Sequence, residues 1–145
     1  MNKAARVLAL DVGDKRIGIA ISDELRISAQ PLATLERRPG YKADLGAISK
    51  IVEESGVSRI VVGVPINMDG SEGEQAAKAR EFAERLRRRL RTPVDTWDER
   101  LTTAQAERAL IAVNKTRARR KEVVDQLAAA LILENYLAAK GSGAA

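Results

Sequence analysis

The chain has 145 residues, of which 45% are apolar and 31% charged, with a net charge of +5 and a sequence pI near 9.8. That is the size of one ordinary domain with enough apolar material for a buried core, and it excludes an intrinsically disordered chain. Cysteine and histidine are both absent, which rules out disulfide staples, zinc fingers, thiol catalysis and any histidine base. The basic balance is a modest bias toward anionic partners, while 3% aromatic residues argue against a base-stacking surface. The apolar run Val7–Leu10 is too short for a signal segment. No stretch approaches the length of a membrane span, so a soluble cytoplasmic protein without a membrane partner is expected.

In chain order, residues 5–11 and 17–22 read as strands joined by a turn from Val12 to Arg16 that Gly13 makes possible. Residues 27–35 read as a third, weaker strand, in which Pro31 suits an edge or a bulge. Three short strands with short connections indicate an antiparallel meander. After the loop Arg37–Gly40 the period changes: Leu45, Ile48, Ile51 and Val52 recur at helical spacing and Gly56 supplies a stop. Ile60–Val64 is an apolar, β-branched run typical of a central buried strand. A loop from Pro65 to Gly73 opens a helix whose apolar face is Ala79, Phe82, Ala83, Leu86 and Leu90. Pro93–Trp97 is a short strand, Thr102 and Gln105 fit a capping box opening a helix to about Ala112, and the last helix runs from near Arg117 to Ala139. The order β-β-β-α-β-α-β-α-α predicts an α/β fold: a mixed five-stranded sheet, antiparallel in its first three strands and flanked by helices. Residues 1–140 read as a single domain and 141–145 as a frayed tail.

Three carboxylates stand where packing alone would not put them. Asp11 closes an apolar strand, Glu99 follows another, and Asp125 shares its helical face with Ala128, Ala129 and Ile132. Each has an ordinary reading: an Asx turn for Asp11, an acid near a helix N-terminus for Glu99, and a loop cap or arginine pair for Asp125. Together they come from two strand ends and a packed helix, elements able to converge. Three acids brought together without a cation would raise one another's pKa. Hard divalent ions take oxygen ligands, and a pair of them held by shared carboxylates clamps both oxygens of an in-line phosphoryl displacement, which needs no histidine.

Cations adjoin these acids. Lys15 and Arg16 follow Asp11 and Arg100 follows Glu99, positions suited to holding phosphates. Arg85–Arg91 and Lys115–Lys121 are denser clusters that read either as an extended nucleic-acid footprint or as solvated helix faces. The loop around Asn67 opens a helix whose free N–H groups suit an anion, a weak signal by itself.

Four stretches carry a resemblance: Asp11–Asp23, Val62–Ser71, Asp98–Thr103 and Val124–Leu133. In this order and spacing the chain resembles the YqgF/RuvX family of pre-16S rRNA nucleases related to Holliday-junction resolvases. It departs from the family pattern at Val64, where leucine is frequent, and at Glu122, in a stretch that is usually more basic. The resemblance implies an RNase H-like fold and a nuclease acting in ribosome biogenesis. Asp11, Glu99 and Asp125 would be its catalytic and metal-binding acids, with Mg²⁺ or Mn²⁺ in a two-metal site, and Lys15, Arg16, Asn67 and Arg100 its substrate-binding residues. Precursor rRNA is the favoured substrate and branched DNA the alternative, with the protein a monomer or a homodimer. Two other classes fit parts of the pattern. Actin-like ATPases and sugar kinases also begin with a strand and Asp-x-Gly, but need two such domains; the other class is a non-catalytic nucleic-acid-binding module on the same fold.

Overall fold

The computed structural model describes residues 6–101 and 117–140. Its elements are β1 (Arg6–Val12), β2 (Arg16–Ser22), β3 (Ala29–Glu36), α1 (Lys42–Ser55), β4 (Val57–Val64), α2 (Glu74–Arg89), β5 (Val94–Asp98), a 3₁₀ turn (Glu99–Leu101) and α3 (Arg117–Lys140). The helix expected from Thr102 to about Ala112 and the tail 141–145 lie outside the described residues. Gly56 ends α1 as expected, in the left-handed conformation at φ +67°, with its N–H donating to the Val52 carbonyl.

The strands form one sheet in the order β3-β2-β1-β4-β5. β1, β2 and β3 are an antiparallel meander, whereas β4 and β5 run parallel to β1 because helical crossovers return the chain to the same end. β3 is an edge strand, and its pairing with β2 slips between Ile19–Ala33 and Ala20–Pro31, leaving Leu32 as the extra residue of a bulge. Pro31 therefore sits where a missing N–H costs least.

Alternation along the strands divides the core in two. Leu8, Leu10, Ile60, Val62 and Val64 join Ile48, Phe82 and Leu86 beneath α1 and α2. Val7, Ala9, Ala20 and Val61 pack with Ala129, Ile132, Leu133 and Tyr136 beneath α3. A period of two in β1 places Asp11 on the α3 side, in line with Val7 and Ala9.

Gly18, the cross-strand partner of Asp11, sets how closely α3 approaches. A Cβ at Gly18 would lie 2.0 Å from the Asp125 carbonyl oxygen and 2.3 Å from its carbonyl carbon, so helix backbone rests directly on strand backbone. Gln126 secures the same turn of α3 by donating to the Thr34 hydroxyl on β3 at 3.0 Å.

Gly18→Ala is expected to force α3 off the sheet and lower stability by about 2–3 kcal/mol, the cost of overpacking. Gly46→Ala, inside α1 with only the end of Arg89 at 3.7 Å, is expected to raise stability by about 0.5–1 kcal/mol. Urea unfolding midpoints of the two variants check both signs.

Candidate active site

The parallel strands β1, β4 and β5 all point their carboxyl ends at one edge of the sheet, where open α/β sheets characteristically bind ligands. Asp11 is next to last in β1. Pairing of Leu10 with Val62 and of Val64 with Asp98 brings Gly63 of β4 alongside Asp11 and starts the Glu99 turn just beyond. Gly63 has the same function as Gly18: a Cβ there would lie 2.6 Å from Glu99 Oε2 and 2.5 Å from Ile132 Cδ1. The Glu99 carboxylate thus lies over β4, in space that only a glycine leaves open, beside α3.

Asp11 is the centre of the acid group. Withdrawal from water, and secondarily the charge of Asp125, push its carboxyl up to about 6. Burial first, then the charges of Asp11 and Asp98, push Glu99 up to about 8. Both groups resist ionising for the same two reasons, lost hydration and like charge. Asp125 sits at the start of the well-packed part of α3, with Ala129 and Ile132 of its face buried. Arg16 Nε donates to its Oδ2 at 2.8 Å.

The other sequence candidates divide. Arg16 is in the site, but as the partner of Asp125. Lys15 is exposed in the β1–β2 turn. Arg100 is clamped to Asp98, with Nη2 at 2.6 Å and Nε at 2.9 Å from Oδ2, while its own N–H caps Oδ1 at 2.9 Å. Asn67 organises its loop, its N–H and Nδ2 donating to the carbonyl and hydroxyl of Ser71 at 2.9 and 3.0 Å. In the arginine-rich part of α2, Arg85 pairs with Glu81 at 2.7 Å and Arg87 donates to the Val94 carbonyl, so these two serve the helix and its packing. The side chains of Lys115–Lys121 lie outside the described residues. Gly18, Gly63 and Asp98 were not singled out in sequence. An isolated glycine inside a strand is the signal for close backbone approach that points to the first two.

The donor chemistry of Asp11, Glu99 and Asp125 is all carboxylate oxygen, which suits a hard divalent cation, and the half-buried setting of Asp11 and Glu99 makes added positive charge favourable there. Among the described residues no group of three or more acidic side chains is already arranged to hold a metal ion, and Arg16 holds one oxygen of Asp125.

Raised carboxyls give the metal-free protein a definite pH response. The folded state keeps protons on Asp11 and Glu99 that the unfolded chain releases near 3.8 and 4.5. Their contribution to stability therefore falls as pH rises from about 4 and is fully lost above about 8. Thermal melting in EDTA is expected to show Tm falling between pH 6 and 8, with Glu99→Gln removing most of that slope; an unchanged slope would show Glu99 ionised throughout.

Comparison with known proteins supplies what geometry does not. The family model described as "RuvX: Holliday junction resolvase" matches residues 5–139. A protein of Caldanaerobacter subterraneus named "Putative pre-16S rRNA nuclease" is 53% identical over 133 residues, covering 91% of this chain and 95% of that protein. One of the same name from Heliobacterium modesticaldum is 49% identical over 140 residues, covering 97% and 93%. Among solved structures, Thermus thermophilus RuvC in complex with a Holliday junction substrate shares the fold at a TM-score of 0.55 and 18% identity, covering 94% of this chain and 96% of that one. The sheet order, the helices on both faces and the family match over almost the whole length agree: the fold is RNase H-like, and the chain belongs to the RuvX family.

Proposed function

We propose that this protein is a divalent-metal-dependent nuclease of the cytoplasm that hydrolyses phosphodiester bonds in maturing the 5′ end of precursor 16S rRNA. The observation that carries the reading is the placing of two half-buried acids, Asp11 and Glu99, at the carboxyl edge of the sheet, close enough that the charge on Asp11 raises Glu99. Two half-buried acids driven toward neutrality cost stability, and a cation binding between them would turn that cost into affinity. The names of the RuvX relatives supply the substrate. The family's description keeps four-way DNA junctions as the second substrate to be tested.

In this reading Asp11 and Glu99 would hold Mg²⁺ or Mn²⁺, with Asp125 completing the set. When bound, the metal supplies positive charge to the scissile phosphate and lowers the pKa of the attacking water. The protein's own groups do the rest. Arg16 fixes the orientation of Asp125 and adds positive charge beside the acids. Lys15, exposed in the same turn, is free to meet the phosphate backbone. Asp98 keeps Arg100 folded back over the Glu99 turn, so the guanidinium stays at the rim of the site. Gly18 and Gly63 hold the acid group compact.

The test is cleavage of precursor 16S rRNA and of a four-way DNA junction by purified protein in Mg²⁺, Mn²⁺ or EDTA. Cleavage of the RNA with metal and none in EDTA is expected; inertness toward both substrates would leave a binding module. Asp11→Asn is expected to abolish cleavage with the fold intact or stabilised, because one of the mutually repelling charges is gone. A variant that unfolds yet retains activity would make Asp11 a turn residue. Arg16→Met is expected to lower the single-turnover rate at saturating substrate on the order of 10–100-fold, the cost of a misplaced catalytic group, with binding little changed.

A further inference from the structure

On the opposite face of the sheet from the acids, a cleft of about 290 Å³ opens beside the same β1–β2 turn, lined by Asp14, Arg37, Arg38, Gly40, Tyr41 and Lys78. Its floor is rigid. Arg37 donates through Nε to Asp44 at 2.7 Å, an acid only 1% exposed, and through Nη1 to the Gly13 carbonyl at 2.8 Å. Its guanidinium also lies 5.3 Å from the Phe82 ring centre. One wall is the start of α1, whose N-cap, Tyr41, makes no side-chain capping bond. Its first N–H groups and the positive end of the helix dipole thus lack the usual acceptor from that residue. Arg38 is exposed at the mouth. Opposite stands Lys78 of α2, whose ammonium binds Asp14 Oδ1 at 3.1 Å, with Gln75 on Oδ2 at 3.1 Å. Those two donors hold the Asp14 carboxyl below its ordinary range.

The cleft is a shallow, basic pocket in which Lys78 and the neighbouring Gln75 converge on one anion, Asp14, and that anion is supplied from the turn that also carries Lys15 and Arg16. We infer that this cleft is a phosphodiester-binding subsite, in which Asp14 stands in for a backbone phosphate and is displaced from Lys78 and Gln75 when a nucleic-acid strand is bound. The inference rests on the nucleic-acid substrate proposed above and adds the path of the strand. Asp14 is three residues from Asp11, at most about 10 Å of chain. A strand with one phosphate at the acids can therefore cross the turn and place a neighbouring phosphate in the cleft. The charged lining of the cleft offers donors suited to a phosphate, so the subsite reads the backbone and carries no sequence preference.

The test uses Lys78, Arg38 and Asp14, all exposed, and leaves Arg37 alone because its removal would strand the buried Asp44. Binding of a fluorescein-labelled, 5′-hydroxyl single-stranded RNA from the 16S leader is followed by anisotropy across a KCl titration in EDTA, so that no cleavage intervenes. Lys78→Gln and Arg38→Gln are each expected to weaken binding several-fold and reduce the log–log salt slope by about 0.7, one single-strand phosphate. Asp14→Asn is expected to bind several-fold more tightly. Lys50→Gln and Glu53→Gln, on the exposed face of α1, change the net charge equally and are expected to leave the slope unaltered. A slope insensitive to Lys78 and Arg38, or shifted no more than by the α1 controls, would overturn the subsite. So would a loss confined to 5′-phosphorylated RNA, which would mark a pocket for a free end. Cleavage of the same RNA by the unmodified protein in Mg²⁺ is scored separately, so a failed cleft and a failed nuclease assignment give different results.

Discussion

The contact on which the rest of this site depends is backbone against backbone: the Asp125 carbonyl of α3 seated on Gly18 of β2. Helices pack on sheets at a distance set by the side chains between them, and here there is none. The helix comes close enough for a carboxylate on its first packed turn to be felt by a carboxylate inside β1. Gly63 does the same for Glu99 on the other side of Asp11. The acids are therefore held together by two missing side chains, with apolar packing from Ala129, Ile132 and Leu133 supplying the force that holds the helix down. Mutual repulsion among the acids works against that packing, and it shows as carboxyls of Asp11 and Glu99 held above their ordinary range.

Much of this was legible in the sequence because periodicity fixes faces. Asp11 was read as closing an apolar strand, and the spacing of Asp125 with Ala128, Ala129 and Ile132 turned that acid toward the core; which face of the sheet Asp11 occupies came from the structure. The mixed sheet followed from three strands without intervening helices followed by regular alternation. Pro31 was read as marking an edge or a bulge, and it sits at both. Arg16 and Arg100 show where such reading stops. Each adjoins an acid in sequence, yet Arg16 reaches across to Asp125, 109 positions away, while Arg100 turns back two residues to Asp98. Sequence adjacency says which charges are available and nothing about which partner wins, because that choice is made by tertiary geometry. The ordinary reading of Asp125, an acid paired with an arginine, and the functional one turn out to be compatible.

Arg37 shows how one residue joins the two faces. Its head neutralises the buried Asp44 at the start of α1 and ties down the Gly13 carbonyl in the turn after Asp11. Its flat surface covers Phe82 of the larger core. A lysine could supply the charge but not the fork, since only a guanidinium offers separate donors to a carboxylate and a carbonyl while stacking on a ring. The turn that presents Lys15 and Arg16 is thus anchored from below by the core opposite the acids. Its position is inherited from packing rather than from the substrate.

The bulge at Leu32 has a consequence for the company this sheet can keep. A regular outer strand is a template on which a second chain can lay down its own strand, the route by which sheets extend into fibrils. Here the outer rim of β3 is interrupted by a residue out of register and by a proline that has no N–H to offer, and β5 on the far side is only five residues long. Among the described strands one rim is interrupted and the other short, and both features disfavour growth by strand addition. Self-association, where it occurs, is directed to side-chain surfaces, leaving the carboxyl edge open to a polymer entering from solvent.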